Sequence, residues 1–320
     1  MQGVRCSAHG IEAVQLEPDA AHLHGPGDGV RVRTRSASIC QTDVNLSMMG
    51  GPLPFTMGHE FAGLLDNGTP VGIEPLAPCG TCPYCQRNDY HFCEKGHTMV
   101  IGIGRNGGMA EEVRVPERSI VPLPTGLEVG SACLIEPLSV NLHSLDLARL
   151  RGDQRVCVVG ANMTGFGLLG GVGALYRGCE VAVEEKAPHA LEAAERMGLG
   201  TRPEGLYDVV IEGDGSEESI AAAAERAAPG GTVLMVAGYY TEFKNFKVLP
   251  FVAKELTVIW GTYYGHHAAG RDADSAASLL AQRPEIAESI ITHRFPLEAA
   301  REAFELVKSD QPSLKVVLEP

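Results

Sequence analysis

Short apolar runs bounded by glycine and proline fill the first part of the chain. Residues 29–35, Gly-Val-Arg-Val-Arg-Thr-Arg, alternate apolar and polar positions with a strict period of two, which predicts a half-buried strand. The cluster Gly25-Pro-Gly-Asp-Gly, which leads into this strand, predicts a turn. We therefore expect the first 39 residues to be rich in β-structure.

A different pattern begins near residue 154, where buried strands alternate with alanine-rich helical segments. Strands are predicted at residues 154–160, 180–183, 206–212, 231–238 and 256–261, and helices at 190–197 and 220–228. This alternation indicates a parallel, doubly wound sheet. The C-terminal part of the chain repeats this alternation, with helices predicted at 275–281 and 297–308 and strands at 292–295 and 314–318.

The first turn of this second region has the composition of a dinucleotide-binding loop. The strand at 154–160 ends in a glycine, and glycines recur at 165, 167, 170, 171 and 173. Such a βαβ unit can direct backbone N–H groups and a helix N-terminus at a pyrophosphate. Gly160, Gly165 and Gly167 are therefore candidate cofactor-binding residues. Glu185 lies 20 residues beyond Gly165, the spacing of an acid that accepts the two ribose hydroxyls of NAD.

The dinucleotide fingerprint departs from its usual form at one position. Asn162 stands where the second glycine of G-x-G-x-x-G is expected, and the literal match from Gly165 begins five residues after the strand. Close packing of a helix on a strand is the alternative explanation for these glycines. Which of them contact phosphate stays open. Lys186 weakens the exclusion of NADP, because its ammonium group can pair with a 2′-phosphate.

Four cysteines within fifteen residues form the strongest local motif. Cys79, Cys82, Cys85 and Cys93 have the spacing C-x2-C-x2-C-x7-C, which allows four thiolates to surround one tetrahedral ion, and such sites favour zinc. A disulfide framework is the alternative, but such frameworks belong to small secreted domains. A zinc ion held by four thiolates is structural, because no position remains for a substrate.

A second group of potential metal ligands precedes these cysteines. Cys40 is followed by Thr42 and Asp43, and Gly58-His59-Glu60 comes nineteen residues after the cysteine. Thiolate and imidazole are both good zinc ligands, and an acid beside the histidine can lie in or near the coordination sphere. In isolation such a pair is more often a core thiol and an ordinary histidine. Because the four-cysteine segment follows twenty residues later, we interpret Cys40 and His59 as zinc ligands instead.

Composition and charge restrict the class of partner. A chain of 320 residues suggests about two domains, and its net charge of −14 argues against nucleic acid or an anionic membrane as the main partner. There is no apolar stretch of ~20 residues and no segment like a secretory signal. The remaining thiols, such as Cys6, Cys133, Cys157 and Cys179, fit a reducing compartment, so we expect a cytoplasmic protein.

These motifs, in this order, resemble those of the zinc-dependent medium-chain dehydrogenases of the alcohol dehydrogenase superfamily. The polyol, sorbitol and threonine dehydrogenase branch is the most similar. The resemblance continues through Gly107-Gly-Met-Ala-Glu, Glu136-Pro-Leu-Ser-Val, Lys254-Glu-Leu-Thr-Val-Ile and Ile291-Thr-His-Arg-Phe-Pro-Leu, and so covers nearly the whole chain. It implies an α/β fold with two domains. Residues 1–137 with 266–320 would form a GroES-like, β-rich catalytic domain with a structural zinc lobe at 76–97, and residues 138–265 a Rossmann dinucleotide-binding domain.

The resemblance also implies roles for single residues. Cys40, His59 and Glu136 would hold a catalytic zinc, Glu60 would be a neighbouring or exchanging ligand, and Asp43 would orient His59. Thr42 would pass on the proton of the alcohol. Many relatives end that proton relay at a histidine where this chain has Asn45, so the proton would leave through water, the ribose or a group such as His143, His266 or His267.

The activity implied is hydride transfer between a secondary alcohol and NAD. The alcohol would be a polyol, sugar, cyclitol or amino alcohol, NADP is a possible second cofactor, and two zinc ions per chain and a homodimer or homotetramer are expected. The alternative is an inactive homologue that binds zinc and nucleotide and has a regulatory role, which the altered glycine turn and Asn45 favour. The retained Cys40, His59 and Glu136 favour the enzyme. The loop at 46–55 is short compared with relatives, so the substrate cannot be transferred from them.

Overall fold

The computed structural model describes residues 1–17, 29–161, 164–239, 242–267 and 270–320. Most of the predicted turn at 25–29, and Asn162 in the glycine-rich loop, lie outside these ranges. The strands are β1 Gln2–Ser7, β2 Gly10–Gln15, β3 Val30–Ser38, β4 Glu60–Leu64, β5 Pro70–Ile73, β6 Glu112–Val115, β7 Ile120–Pro122, β8 Arg155–Val159, β9 Glu180–Glu184, β10 Tyr207–Glu212, β11 Ala227–Met235, β12 Thr257–Trp260, β13 His266–His267, β14 Gly270–Arg271, β15 Ile291–Pro296 and β16 Lys315–Glu319. The helices are α1 Gln41–Met48, α2 Pro83–Gln86, α3 Ile135–Leu147, α4 Phe166–Tyr176, α5 Pro188–Arg196, α6 Glu217–Arg226, α7 Leu249–Ala253, α8 Asp272–Gln282, α9 Glu285–Ile290 and α10 Ala300–Lys308. No helix within the described ranges has both the length and the apolar character needed to cross a membrane.

The chain divides into two compact units. The first contains residues 1–136, 265–287 and 291–320, and the second contains residues 137–264 and 288–290. The first unit is rich in strands and the second alternates strands with helices. The predicted α/β fold, with a β-rich domain and a doubly wound domain, is confirmed.

A largely antiparallel sheet organises the first unit. Its strand order is β15-β16-β3-β4-β5-β7, and β6 also pairs with β3. The predicted strand at 29–35 is the first half of β3, whose apolar side chains Val32 and Ala37 are fully buried in the core. Because β3 pairs with β4 on one side and β16 on the other, side chains from three distant parts of the sequence become neighbours.

A parallel sheet organises the second unit. Its strands follow the order β12-β11-β10-β8-β9, and an isolated parallel bridge between Ala182 and Gly200 adds one more position beyond β9. Read from that added position toward β12, with β8 as strand 1, the order is the 3-2-1-4-5-6 of a dinucleotide-binding fold. In such a fold, ligands bind at the carboxyl ends of the strands, where the strand order reverses. Here that point lies between β8 and β10.

The boundaries of α6 differ slightly from the predicted helix at 220–228. The helix begins earlier because Ser216 caps it, with its hydroxyl accepting a hydrogen bond from the Ser219 N–H. It ends at Arg226 because the ammonium group of Lys254 donates hydrogen bonds to carbonyl oxygens of the last turn. Those of Ala224 and Glu225 lie 2.9 and 2.6 Å from Nζ. The sequence pattern alone does not reveal this distant cap.

Candidate active site

Three potential metal ligands from two neighbouring strands meet inside the first unit. One ligand atom each of Cys40, His59 and Glu60 lies within 4.8 Å of the others. Cys40 follows β3 and caps the N-terminus of α1, while His59 and Glu60 stand at the start of β4. Ser38 and Glu60 are register partners in the β3–β4 pair, so the sheet itself brings the three residues together.

Asp43 lies beside the histidine of this cluster, as its predicted orienting role requires. Its Oδ1 is 3.6 Å from Nδ1 of His59, and its Oδ2 accepts a hydrogen bond of 3.0 Å from the Cys40 N–H. Asp43 is fully buried. With Nδ1 facing this carboxylate, Nε2 is the ring nitrogen left for a metal ion.

The electrostatics of the cluster favour a bound cation. Burial, and after it the Glu60 carboxylate, raises the pKa of the Cys40 thiol. Burial lowers the pKa of His59, but Asp43 and Cys40 outweigh that effect and leave it well above its usual value. Each group therefore retains a proton that a metal ion would replace. A thiol, an imidazole and nearby carboxylates are the donors that zinc takes, so these residues fit the ion.

Glycines hold the peptide that carries His59 against the rest of the unit. A Cβ atom on Gly102 would lie 2.3 Å from the Gly58 carbonyl oxygen and 2.8 Å from the His59 nitrogen. A Cβ atom on Gly107 would also lie 2.3 Å from the Gly58 oxygen. Gly58 itself has φ +94°, a conformation that favours glycine. The metal-binding segment thus rests directly on backbone, which fixes its position.

A buried lysine, which the sequence reasoning missed, contacts the cluster. Nζ of Lys315 lies 2.9 and 3.1 Å from the two carboxylate oxygens of Glu60, and both side chains are 0% exposed. Ser38 donates a hydrogen bond to Oε2 of the same carboxylate. Burial lowers the pKa of Lys315, but Glu60 and Cys40 outweigh that effect and raise it, so the ammonium form is favoured. A lysine inside the apolar strand Leu314-Lys-Val-Val-Leu was the available signal.

The other predicted catalytic residues lie at the starts of two helices. The N–H of Thr42, in the first turn of α1, donates to the Cys40 sulfur at 3.4 Å. Glu136 is buried in the first turn of α3. Among the described residues, Glu136 does not join the group formed by Cys40, His59 and Glu60. Its role as the third ligand stays a prediction.

The four predicted thiols of the zinc lobe also come together. Ligand atoms of Cys79, Cys82, Cys85 and Cys93 lie within 4.8 Å of one another. The hydroxyl of Thr81, with the Thr81 and Cys82 N–H groups, lowers the pKa of Cys79 to about 5, whereas burial raises that of Cys85 to about 12. Four thiols that share N–H donors and crowd one point fit a tetrahedral zinc ion.

The candidate cofactor residues lie at the carboxyl ends of β8 and β9. Gly160 has φ +79° and ends β8, and Gly165 has φ +68° and caps α4. A Cβ atom on Gly167 would lie 2.4 Å from the Gly160 oxygen, so this glycine serves close packing of the helix on the strand. The Glu185 carboxylate accepts a hydrogen bond of 2.7 Å from the Ala161 N–H, which joins the acid to the turn after β8.

Comparisons with known proteins agree with this geometry. Residues 25–125, which include both groups of ligands, match the family described as "Alcohol dehydrogenase GroES-like domain". Galactitol 1-phosphate 5-dehydrogenase of Escherichia coli (strain K12) is 27% identical over 332 aligned positions, which cover 92% of this chain and 93% of that protein. L-galactonate-5-dehydrogenase of the same strain is 28% identical over 312 positions, with 88% of each protein covered. The structure of alcohol dehydrogenase TADH from Thermus sp. ATN1 matches with a TM-score of 0.83 at 26% identity and 100% coverage of both chains.

Proposed function

The chain belongs to the zinc-dependent medium-chain dehydrogenases, in the branch of the polyol and threonine dehydrogenases, and we propose that it oxidises a secondary alcohol with NAD. The observation that carries this proposal is the cluster of Cys40, His59 and Glu60, which places a thiol, an imidazole and a carboxylate within 4.8 Å of one another. An inactive homologue would have no need to retain it, and that alternative is not favoured.

The residues around the cluster have separate tasks in this reaction. When bound, zinc lowers the pKa of an alcohol toward neutrality, and the nicotinamide accepts the hydride. Cys40 and His59 would hold the ion, and Asp43 would fix the imidazole through its 3.6 Å contact with Nδ1. Thr42, whose N–H already contacts the Cys40 sulfur, would relay the alcohol proton through its hydroxyl, accepting that proton and releasing its own to water or the cofactor ribose. Because an amide cannot be protonated at neutral pH, Asn45 would not end the proton relay.

The names of the relatives suggest a substrate class. One relative is named for galactitol 1-phosphate and another for L-galactonate, and both names specify position 5. We therefore propose a secondary hydroxyl of a polyol or sugar derivative. The test is a screen for NAD(P) reduction over polyols, polyol phosphates, sugar acids and amino alcohols, with zinc counted per chain. No turnover on any class by a chain that contains two zinc ions would favour the binding protein instead.

Glu136 is proposed as the third permanent ligand of the catalytic zinc. It is buried at the first turn of α3, whereas both oxygens of Glu60 are engaged by Lys315. Loss of a direct ligand should release metal, whereas loss of an outer contact typically costs ~10–100-fold in affinity or activity. Glu136→Ala should reduce the zinc count from two to one under mild chelation and abolish turnover. Glu60→Ala should keep both ions and part of the activity. The opposite pattern would exchange the roles of the two glutamates.

NAD is proposed as the preferred cofactor. Glu185 directly follows β9 in the parallel sheet, a place where an acid accepts ribose hydroxyls and repels a 2′-phosphate. Its present bond to the Ala161 N–H holds the carboxylate near the turn after β8. Lys186 leaves NADP as a second cofactor.

A homodimer is proposed through β12, with a homotetramer as the larger form. This strand is an edge of the parallel sheet, and it exposes Val258 at 37% and Trp260 at 51%. An edge strand with unpaired backbone groups and exposed apolar side chains is a template for pairing with a second copy. We also propose a cytoplasmic location, because none of the nine cysteines is in a disulfide.

A further inference from the structure

The last strand of the chain places a cation inside the candidate active site. In β16, Val317 is the register partner of Ser38 in β3, and Ser38 is the register partner of Glu60 in β4. Lys315 stands two residues before Val317, so its side chain reaches across β3 to Glu60. A residue from the C-terminal strand thereby contacts a carboxylate 255 positions earlier in the chain.

The contacts of Glu60 leave little room for a metal ion. An ionised carboxylate has about four acceptor sites on its two oxygens. Oε2 accepts from both Ser38 and Lys315, and Oε1 accepts from Lys315 at 3.1 Å. A metal that took Glu60 as a ligand would have to compete with these donors. Ser38 and Lys315 therefore take three of these sites and hold the carboxylate beside the cluster.

Charge balance leads to the same arrangement. With a metal bound, Cys40 would be a thiolate beside the carboxylates of Glu60 and Asp43, and the ammonium group of Lys315 contacts Glu60. A buried carboxylate that loses its partner is strongly destabilised, so it moves to the nearest remaining cation. For Glu60 that cation would be the zinc held by Cys40 and His59.

We propose that Lys315 is a positioning residue that keeps Glu60 off the catalytic metal and so leaves one coordination position open for the alcohol. This inference rests on the proposed function, because it requires a metal at Cys40 and His59. Without the ammonium group, Glu60 would become a ligand, and the open position would close.

The test uses the full chain, depleted of metal and reloaded with Co²⁺, whose visible absorption depends on coordination number and ligands. Subtraction of the Cys40→Ser spectrum removes the signal of the four-thiol site. Lys315→Met keeps the apolar stem and loses the charge, Lys315→Arg keeps the charge, and Lys315→Met/Glu60→Gln removes both charges. We expect a shifted absorption and about 10-fold slower metal loss to a chelator for Lys315→Met only. The charge-keeping variant and the double variant should match the wild type.

Two outcomes would overturn the inference. One is an unchanged difference spectrum in Lys315→Met. The other is an altered spectrum that persists in the double variant, since no carboxylate can then have moved. If Lys315→Met does not fold, Ser38→Ala, which removes one donor from Oε2, should give a smaller change in the same direction, and no change there contradicts the inference. If the wild type itself gives no signal above Cys40→Ser, the metal centre of the proposed function fails instead.

Discussion

The position of His59 depends on a glycine that sequence motifs do not include, and this dependence can be measured. Gly102 has φ +87°, and a Cβ atom there would lie 2.3 Å from the Gly58 oxygen and 2.4 Å from the Gly58 carbonyl carbon. Gly68 is a matched control, because it has φ +84° and no atom within 4 Å of its ideal Cβ position. Both glycines belong to the first unit.

The two alanine substitutions share a conformational cost and differ in the contacts that the added Cβ atom makes. In each, a left-handed conformation costs roughly 1–2 kcal/mol for a residue with a Cβ atom. In Gly102→Ala, overlap with the peptide before His59 adds about 1–3 kcal/mol, because neighbouring backbone must shift. We therefore expect Gly102→Ala to lower the free energy of unfolding by about 1–3 kcal/mol more than Gly68→Ala.

Urea unfolding, followed by far-UV circular dichroism, gives the two free energies from the midpoints. A chelation assay in native buffer should also show that Gly102→Ala loses one zinc ion faster than the wild type, while Gly68→Ala does not. Equal midpoints for the two variants, with equal zinc retention, would refute the claim that backbone contact at Gly102 positions the histidine.

Three further substitutions test other parts of the account. Cys93→Ser should lose one zinc ion per chain and increase hydrogen exchange at residues 76–97, whereas the control Cys179→Ser, in the other unit, should keep both ions. An unchanged zinc content in Cys93→Ser would exclude the four-thiolate site. Wild type should have a higher kcat/KM with NAD than with NADP, and Glu185→Ser should reduce the ratio of the two kcat/KM values by at least about 10-fold, a shift of roughly 1.4 kcal/mol. A wild-type preference for NADP would contradict the role of Glu185. Val258→Lys should convert a dimer to a monomer in light scattering, whereas the exposed Leu249→Lys should not, and an unchanged mass would reject β12 as the interface.

Much of the fold follows from local sequence patterns. The alternation in 29–35 and the spacing of strands and helices after residue 154 predict the two kinds of sheet that the structure contains. The four cysteines and the pair Cys40 and His59 are found together because their spacing is itself a chemical signal. Each of these features depends on residues close in sequence.

The features that the sequence did not reveal depend on contacts between segments far apart in the chain. Lys315 lies beside Glu60 only because β16 pairs with β3 and β3 pairs with β4. Gly102 matters because its loop packs on the Gly58–His59 peptide, 43 residues or more away. The cap that Lys254 provides for α6 also joins two separated segments, through a side chain that donates to helix carbonyl groups. Such contacts join distant segments, and no local pattern specifies them.

The most direct test of the claim that Cys40 and His59 hold a catalytic zinc compares wild type with Cys40→Ser, purified in parallel by one protocol. Zinc per chain and NADH formation from the best alcohol of the screen are measured on the same samples. The account predicts two zinc ions and turnover for the wild type, and one zinc ion with no turnover for Cys40→Ser, whose four-thiol site is intact. Turnover by Cys40→Ser, or a wild type that holds only one zinc ion, would contradict it.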